Sequence, residues 1–522
     1  MAAPLVSRPA AALSGVIAAG VGMAVGHLAA ALTDPARSPV LAVGAEVIDR
    51  TPTPLKDWAI RTFGTADKAV LLGSVTVMTV VLAAAVGLLA RRRLRWGLAG
   101  LMLLVALAAA AVLRRPGAGV SWLLPTALTL IVGVVALLGL LALAGHPTAG
   151  AVVSRVRRRG GGAGTAAPSR RAFVAAAGAA SVVGAGGALA GVRLSSAEDT
   201  SGLALPRARQ PAPGIPAGLE AQVRDLTPLR TPNAKFYRVD TALTVPSLDR
   251  DRWRLRIDGD VAHPITLSYN EIARMDLIER NITMTCVSNE VGGSYAGGAT
   301  WLGVRTRDLL RLAGVRAAGA ERQVLSTSSD GFTISTPLEA MLDDRDALLA
   351  IGMNGKALPR EHGYPARLVT PGLYGMLGST KWVTRLTVTT YAAKRAYWTQ
   401  RGWTTNGPVK PSARIDLPRG LAQLDRGIVT IGGIAWAQRH GVVGVQVSID
   451  DGPWVAATLG PSVNVDFWRQ WIHRWDARKA APGQHSVRAR VVYGEGQVQS
   501  SARAGVFPSG SSGIQEQIFF LR

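Results

Sequence analysis

Cysteine is almost absent from this chain: 522 residues hold one, Cys286. A disulfide within the chain is therefore excluded, as are the paired-cysteine frameworks of zinc and iron–sulfur sites. Any metal chemistry uses at most one protein thiolate. Acidic residues are also scarce, 34 against 58 Lys and Arg, for a net charge of +24. In the first 200 residues the basic excess sits in short arginine clusters between apolar runs. That arrangement sets membrane topology rather than binding nucleic acid. Histidine is sparse, with seven in all. His27 and His146 fall in or beside apolar runs, and no matched set for bis-histidine haem exists. His27 reads as a helix-packing or polar-contact residue.

What the first part has in excess is Ala, Leu and Val. A bilayer crossing takes about 20 apolar residues. Five candidate spans follow, at about Ala10–Leu32, Ala69–Ala90, Trp96–Leu113, Val120–Ala144 and Ala172–Val192. Trp96 and Trp122 stand at span ends, as in aromatic belts, and Pro125 is tolerable in a first turn. Arg91, Arg92, Arg93 and Arg95 follow the second span. Arg155, Arg157, Arg158, Arg159, Arg170 and Arg171 precede the fifth. Both groups belong on the cytoplasmic side, against the weaker opposing signal of Arg114 and Arg115. The expectation is a multi-pass protein of the cytoplasmic membrane, with a cytoplasmic N-terminus and everything after about residue 193 outside. Gly22/Gly26 and Gly187/Gly191 have the spacing that allows close helix contact. Ser169-Arg170-Arg171-Ala172-Phe173-Val174 resembles a twin-arginine export signal, without the lysine that often follows. The alternative is a plain basic flank. Ala188-Leu189-Ala190 resembles a cleavage site, although retention as an anchor is expected.

The remainder reads as globular. Residues 193–232, rich in Pro, Ala, Gly and Arg, read as a linker. Trp253–Asp258 and Ile282–Cys286 read as strands, Ser268 and Glu271 form a capping box before a short helix, and Arg307–Leu310 begins another helix. Without regular βαβ alternation, α+β is the class expected to about residue 405. From 406 to 522 the pattern is all-β. Val443, Val445, Val447 and Ile449 alternate with polar residues before the Asp450-Asp451-Gly452 turn. Val487, Ala489, Val491 and Tyr493 alternate before Gly494-Glu495-Gly496. An immunoglobulin-like sandwich is expected. The whole is thus a multi-domain chain: an all-α membrane domain over 1–192, the linker over 193–232, an α+β domain over 233–405 and the sandwich over 406–522.

Cys286 closes an apolar strand and is followed by a glycine-rich stretch, in which backbone can approach a ligand closely. No P-loop lysine is present. By residue type alone, a lone buried cysteine reads either as an inert core residue or as a metal ligand. The surrounding blocks resemble the sulfite oxidase superfamily over roughly residues 225–510. They comprise Asn233 with Phe236 and Tyr237; Cys286 continuing to Gly297–Val304 and Arg307–Leu310; Ser329–Phe332 leading to Thr336–Glu339; Met353-Asn354-Gly355; His362–Val369; Pro371-Gly372; and Lys381-Trp382.

The resemblance implies a molybdenum–molybdopterin cofactor, with Cys286 binding molybdenum as thiolate; a soft anionic sulfur suits a thiophilic metal. It implies His362 and Arg367 at the pterin and its phosphate, with Lys381, Ser379 and Thr380 adding phosphate contacts. Asn233, Tyr237 and Asp330 are pterin-contact candidates, the alternatives being a turn former, a packing residue and a turn residue. Tyr397 is a candidate proton donor and Arg395 a candidate substrate-orienting charge; for both the alternative is packing or surface. The family's arginines after the ligand cysteine are replaced by Glu290 and Val291, and its arginine near the C-terminus has no match in Val506–Ser509. Negative charge near the metal disfavours a sulfite dianion. The Asn233/Phe236/Tyr237 block is closer to the bacterial methionine sulfoxide reductase branch, which implies oxygen-atom removal from an S-oxide or N-oxide. The expected partners are the lipid bilayer, an electron donor or acceptor (cytochrome or quinone pool) and, by resemblance, a second copy of the chain. A membrane-tethered scaffold without redox chemistry is the rival reading.

Overall fold

The computed structural model describes residues 6–522 except 34–36, 53–54, 56–57, 59–61, 63–66, 116–117, 160–168, 197–199, 201, 243, 316–318 and 320. The chain divides into two compact units: residues 1–198 with 242–247, and residues 199–241 with 248–522.

The first unit is helical. Its elements are α1 (Arg8–Thr33), α2 (Pro39–Arg50), α3 (Asp67–Arg92), α4 (Leu94–Leu113), α5 (Leu124–Leu143), α6 (Pro147–Arg159) and α7 (Arg170–Ser196). Four helical segments are long and apolar enough to cross a membrane: Arg8–Thr33, Gly73–Arg92, Leu94–Leu113 and Val120–Leu143. The fifth expected span is a helix, α7, but its apolar stretch, Arg171–Gly187, is shorter than those four. α2 and α6 were not expected. The side chains of Arg157, Arg158, Arg159 and Arg170, and the surroundings of Ala188, Ala190 and Gly191, lie outside the described residues. His27 meets Ser38 through Nδ1 at 3.0 Å, the expected polar contact. Gly22 and Gly26 lie against α5: a Cβ on Gly22 would stand 2.6 Å from the Thr129 carbonyl, and one on Gly26 would stand 2.8 Å from that of Pro125. Two helix backbones approach this closely only where the side chain is a hydrogen.

The second unit is built on sheets. Its first strands are β1 (Arg254–Gly259), β2 (Ile265–Ser268), β3 (Ile278–Thr285), β4 (Ala296–Arg305), β5 (Arg322–Ser328), β6 (Thr333–Pro337), β7 (Leu348–Met353), β8 (Lys356–Ala357), β9 (Arg367–Val369) and β10 (Val383–Thr390). They form one sheet in the order β2-β1-β10-β5-β6 and another in the order β3-β4-β7-β8, with β9 paired to β7. Short helices, including Tyr269–Ala273 and Thr306–Leu312, complete an α+β arrangement. The capping box before Tyr269–Ala273 is complete: Ser268 Oγ accepts from the Glu271 amide, and the Glu271 carboxylate accepts from the Ser268 amide. Leu255, Ile257, Leu302, Leu349, Leu368 and Leu386 belong to one buried cluster spanning both sheets.

Next come β11 (Ser412–Leu417), β12 (Gln423–Leu424), β13 (Ile428–Trp436), β14 (Val442–Ile449), β15 (Val455–Ala456), β16 (Thr458–Leu459), β17 (Arg469–Asp476), β18 (Gly483–Tyr493), β19 (Gln497–Val498) and β20 (Gln515–Leu521). Two sheets result, β11-β13-β17-β16 and β12-β20-β18-β14-β15, with β19 on β18. Ile431 and Trp471 of the first share a buried core with Val447, Val491 and Phe519 of the second. Val445 and Val447 of β14 and Val487, Ala489 and Val491 of β18 supply that core because successive strand side chains face opposite sides, but Val443, expected inward, is 52% exposed, because a register shift between Val442 and Gly444 turns Val442 inward instead. Asp450 and Asp451 take positive φ, 49° and 57°, at the turn the sequence marks.

The expected linker needs correction. From Thr200 on, its described residues belong to the second unit. Thr200 Oγ1 donates to the Leu358 carbonyl at 2.9 Å, the Arg209 amide to the Leu277 carbonyl at 2.8 Å, and the Thr231 amide to the Gly298 carbonyl at 2.8 Å. A proline-rich segment stays extended, and extended backbone can satisfy an open strand edge.

Candidate active site

β3 delivers Cys286. Its last four residues, Ile282–Thr285, are buried on both faces, and the strand ends one residue before the thiol. The Cys286 amide donates to the Tyr295 carbonyl at 2.9 Å, closing a loop before β4. Inside it the Asn289 amide donates to the Cys286 carbonyl at 3.1 Å, and Asn289 Oδ1 accepts from the Tyr295 amide at 2.8 Å. Cys286 is 7% exposed. Burial pushes its thiol up, while the amides of Ser288 and Val287 and the Ser288 hydroxyl act in the opposite direction. The sulfur thus sits among donors that favour a thiolate, while burial favours the neutral thiol.

Two basic side chains are buried in the same unit. Arg367, at the start of β9, is 5% exposed, with its guanidinium 5.1 Å from the Trp301 ring centre. Its N–H groups donate to the carbonyls of His362 (3.1 Å), Leu368 (3.3 Å) and Ser379 (3.4 Å), and no carboxylate is among its described partners. Burial lowers it to about 10, so it stays charged at neutral pH. A buried cation held by neutral oxygens alone is a costly arrangement that a bound anion relieves. Lys381 Nζ pairs with Asp240 Oδ2 at 2.7 Å and donates to the Glu361 carbonyl at 3.1 Å. Asp240 is shared with Arg238, at 2.8 Å. Burial takes Lys381 down to about 8, against the pull of Asp240.

His362 Nε2 lies 3.0 Å from the Asn233 carbonyl. A carbonyl only accepts, so Nε2 carries the proton. Burial, with Arg367 adding to it, lowers this histidine to about 4. The ring is neutral, and Nδ1 keeps a lone pair for an incoming N–H donor. Asn233 fastens this corner: its Oδ1 accepts from Asn354 Nδ2 at 2.7 Å, and its Nδ2 donates to the Met353 carbonyl at 3.2 Å. Tyr237 stacks on Phe236, ring centres 5.3 Å apart. Burial and then Cys286 raise its phenol while Arg367 opposes, so the three share one electrostatic neighbourhood.

Not every expected residue converges here. Ser379 and Thr380 are buried, the first accepting from Arg367 through its carbonyl and the second bonded to Ser326 Oγ at 2.6 Å. Asp330 caps its own hairpin turn, accepting from the Phe332 amide at 3.1 Å. Arg395 is exposed, and Tyr397 packs on Phe332 (5.3 Å) and Trp398 (5.0 Å). None of the described contacts joins Arg395 or Tyr397 to Cys286. The structure adds Tyr374, 4% exposed, whose phenol is raised by burial and by Cys286 and accepts from the Lys410 amide at 3.3 Å. It also adds Asp240, a lone carboxylate beside Lys235 and Arg238 whose position in a basic stretch was the available signal. For Tyr374 the sequence offers none.

The residues present fit an anionic pterin cofactor. Besides Arg367, with no carboxylate among its described partners, four buried hydroxyls of the second unit have no hydrogen-bond partner among the described residues: Thr285 Oγ1, one residue before Cys286 in the chain, the Oγ atoms of Ser328 and Ser329, and Thr336 Oγ1. Ser329 adjoins the Lys381 corner, its amide donating to the Trp382 carbonyl at 2.9 Å. Comparison with known proteins agrees. Residues 242–398 match the oxidoreductase molybdopterin binding domain. The uncharacterized oxidoreductase YuiH of Bacillus subtilis is 31% identical over 159 residues, covering 30% of this chain and 76% of that protein. Mitochondrial sulfite oxidase of Mus musculus is 31% identical over 270 residues, covering 44% of this chain and 49% of that enzyme. The chain belongs to the sulfite oxidase superfamily. Residues 242–398 carry its molybdopterin-binding oxidoreductase domain, which implies a molybdenum cofactor. The chain spans about half the length of the mitochondrial sulfite oxidases it matches. Among solved structures, the sulfane dehydrogenase SoxCD from Paracoccus pantotrophus aligns at 24% identity and TM-score 0.48, over 55% of this chain and 80% of that one.

Proposed function

We propose that this member of the superfamily is anchored in the cytoplasmic membrane, works on its outer face, and moves an oxygen atom and two electrons on an S-oxide or N-oxide. The observation that carries the site assignment is that a lone buried thiol and Arg367, a buried cation with no carboxylate among its described partners, both act on the buried Tyr237. In this reading Cys286 ligates the metal as thiolate. Arg367 and Lys381 hold the phosphate, and His362 accepts a pterin N–H through Nδ1. The cofactor, when bound, supplies the two-electron oxygen-atom transfer. The chain's own groups set what reaches it. Burial keeps the phenols of Tyr237 and Tyr374 protonated, so both are hydrogen-bond donors toward a polar oxygen. Glu290 puts negative charge on the Cys286 loop, which favours a neutral substrate over sulfite. Asp330, Arg395 and Tyr397 carry no part of this reading.

The four apolar helices support anchoring. The arginines after α3 and before α7 support a cytoplasmic N-terminus and an outward catalytic unit. Electrons then pass to or from a cytochrome or the quinone pool. The two-sheet C-terminal part is read as immunoglobulin-like and as the contact for a second copy. The test is metal analysis of the detergent-purified protein, made in a host that synthesises the cofactor, beside Cys286→Ser. About one molybdenum per chain is expected, with activity on sulfoxides or N-oxides abolished in the variant. No molybdenum in the parent shifts the reading to a redox-inactive scaffold, and near-wild-type activity in Cys286→Ser removes Cys286 as ligand.

A further inference from the structure

β3 is an edge strand, and its outer edge is covered by segments from outside its own sheet. At its start the Arg209 amide donates to the Leu277 carbonyl and the Glu279 amide to the Gln210 carbonyl, both at 2.8 Å. Toward its end the β-sandwich takes over. The Thr283 amide donates to the Asp466 carbonyl at 3.0 Å, the Trp468 amide to Thr283 Oγ1 at 2.8 Å, and Asn464 Nδ2 to the Asn281 carbonyl at 2.9 Å. Past Cys286 the sandwich grips again. Ser511 Oγ donates to the Asn289 carbonyl at 2.6 Å, and Arg414 Nη1 to the Gly293 carbonyl at 3.3 Å. Arg414 is itself fixed by Asp416 (2.7 Å) and Thr227 Oγ1 (2.6 Å). Gly292, at φ 82°, lies against the Gln515 side chain, where a Cβ would stand 2.8 Å from it.

Cys286 is thus bracketed: sandwich bonds hold the strand three residues before it and the loop three and seven residues after it. The loop has four hydrogen bonds of its own, the Cys286, Asn289, Gly293 and Tyr295 amides each donating within it, and the two sandwich donors seat that closed loop on the second sheet pair. We propose that Ser511 and Arg414, on the β-sandwich, are positioning residues that fix the Cys286 loop and, through it, the coordination geometry of the metal. The proposal rests on the reading of Cys286 as ligand. It gives the sandwich a direct part in the catalytic centre, distinct from any contact between copies.

The experiment uses the purified, metal-loaded full chain with Ser511→Ala, Ser511→Thr and Arg414→Ala. Two readouts are taken: hydrogen exchange of the Cys286, Asn289 and Tyr295 amides, and the Mo(V) electron paramagnetic resonance signal. Losing one hydrogen bond of about 1 kcal/mol speeds exchange about fivefold. The expectation is that Ser511→Ala and Arg414→Ala show this acceleration, confined to the loop, with an altered Mo(V) signal. Ser511→Thr, which keeps the hydroxyl, restores both. Wild-type exchange in both alanine variants overturns the proposal. So does faster exchange with an unchanged Mo(V) signal, since the braces would then be structural only. Cys286→Ser run alongside separates the two readings. If it keeps the parent's signal the ligand assignment fails, whereas the exchange data judge the braces independently.

Discussion

Arg367 carries a testable contradiction. Without the cofactor its charge is buried against carbonyls alone, an arrangement that neutral replacement of similar volume relieves. In the proposed phosphate-holding role the same charge makes charge-assisted bonds worth about 1.5–3 kcal/mol each. Arg367→Met is therefore expected to raise the melting temperature of cofactor-free protein while lowering cofactor retention about tenfold or more. A purely structural arginine would lower both, and differential scanning fluorimetry beside metal analysis tells the cases apart. His362 makes a second prediction. Burial lowers it to about 4, below its ordinary 6.5. As pH falls from 6.5 to 4 the unfolded chain takes up a proton that the folded chain refuses, so stability drops across that window and levels off below it. His362→Gln removes this component. The slope of melting temperature between pH 6.5 and 4.5 should be shallower in the variant, and identical slopes would contradict the neutral, buried imidazole.

Among elements, the helix crossings of the first, helical unit depend on glycine. A side chain on Gly22 would meet the backbone of Thr129 and Gly133, whereas Gly20, on the same helix, has nothing within 4 Å. Gly22→Leu should destabilise the detergent-solubilised unit by about 1–3 kcal/mol, the ordinary cost of overpacking, and Gly20→Leu should leave it unchanged. Equal melting curves for both would mean that α1 and α5 do not cross as described. What the sequence made legible follows the same physics. The Gly22/Gly26 spacing, the Ser268/Glu271 capping box, the alternation in β18 and, past Val443, in β14, and the apolar strand ending at Cys286 are local patterns, and each appears in the structure. The pairing of Asp240 with Lys381 (beyond the bare sign of a carboxylate in a basic stretch), Tyr374 near the thiol, and the segment around Gln210 that covers β3 were not legible. Each depends on residues distant in sequence meeting in space, and no local period encodes that. α2 and α6 escaped notice because 12 and 13 residues of mixed polarity fall short of the span signal.

For the whole molecule, the order of events in the cell is the main physical constraint. A domain that closes around Cys286 and Arg367 cannot be threaded through a membrane unfolded and then filled by a cofactor made in the cytoplasm. On the proposed outward placement, the catalytic unit must load first and cross folded. The Arg170-Arg171 pair at the start of α7 stands where the address for such a route is needed, directly ahead of the catalytic unit in the chain. Lysine at both positions preserves the positive charge that topology requires and removes only what an export receptor reads. The Arg170→Lys/Arg171→Lys double variant is therefore expected to keep its first four spans in the membrane and leave residues after about 193 in the cytoplasm. Protease added to spheroplasts should cut the catalytic unit of the parent and spare that of the variant. Cleavage in both would show that the basic flank acts by charge alone, and protection in both would place the catalytic unit inside. Molybdenum content discriminates further: a stranded unit still loads its cofactor, because loading precedes transport, so the variant should hold the parent's amount of metal while losing access to a substrate supplied from outside.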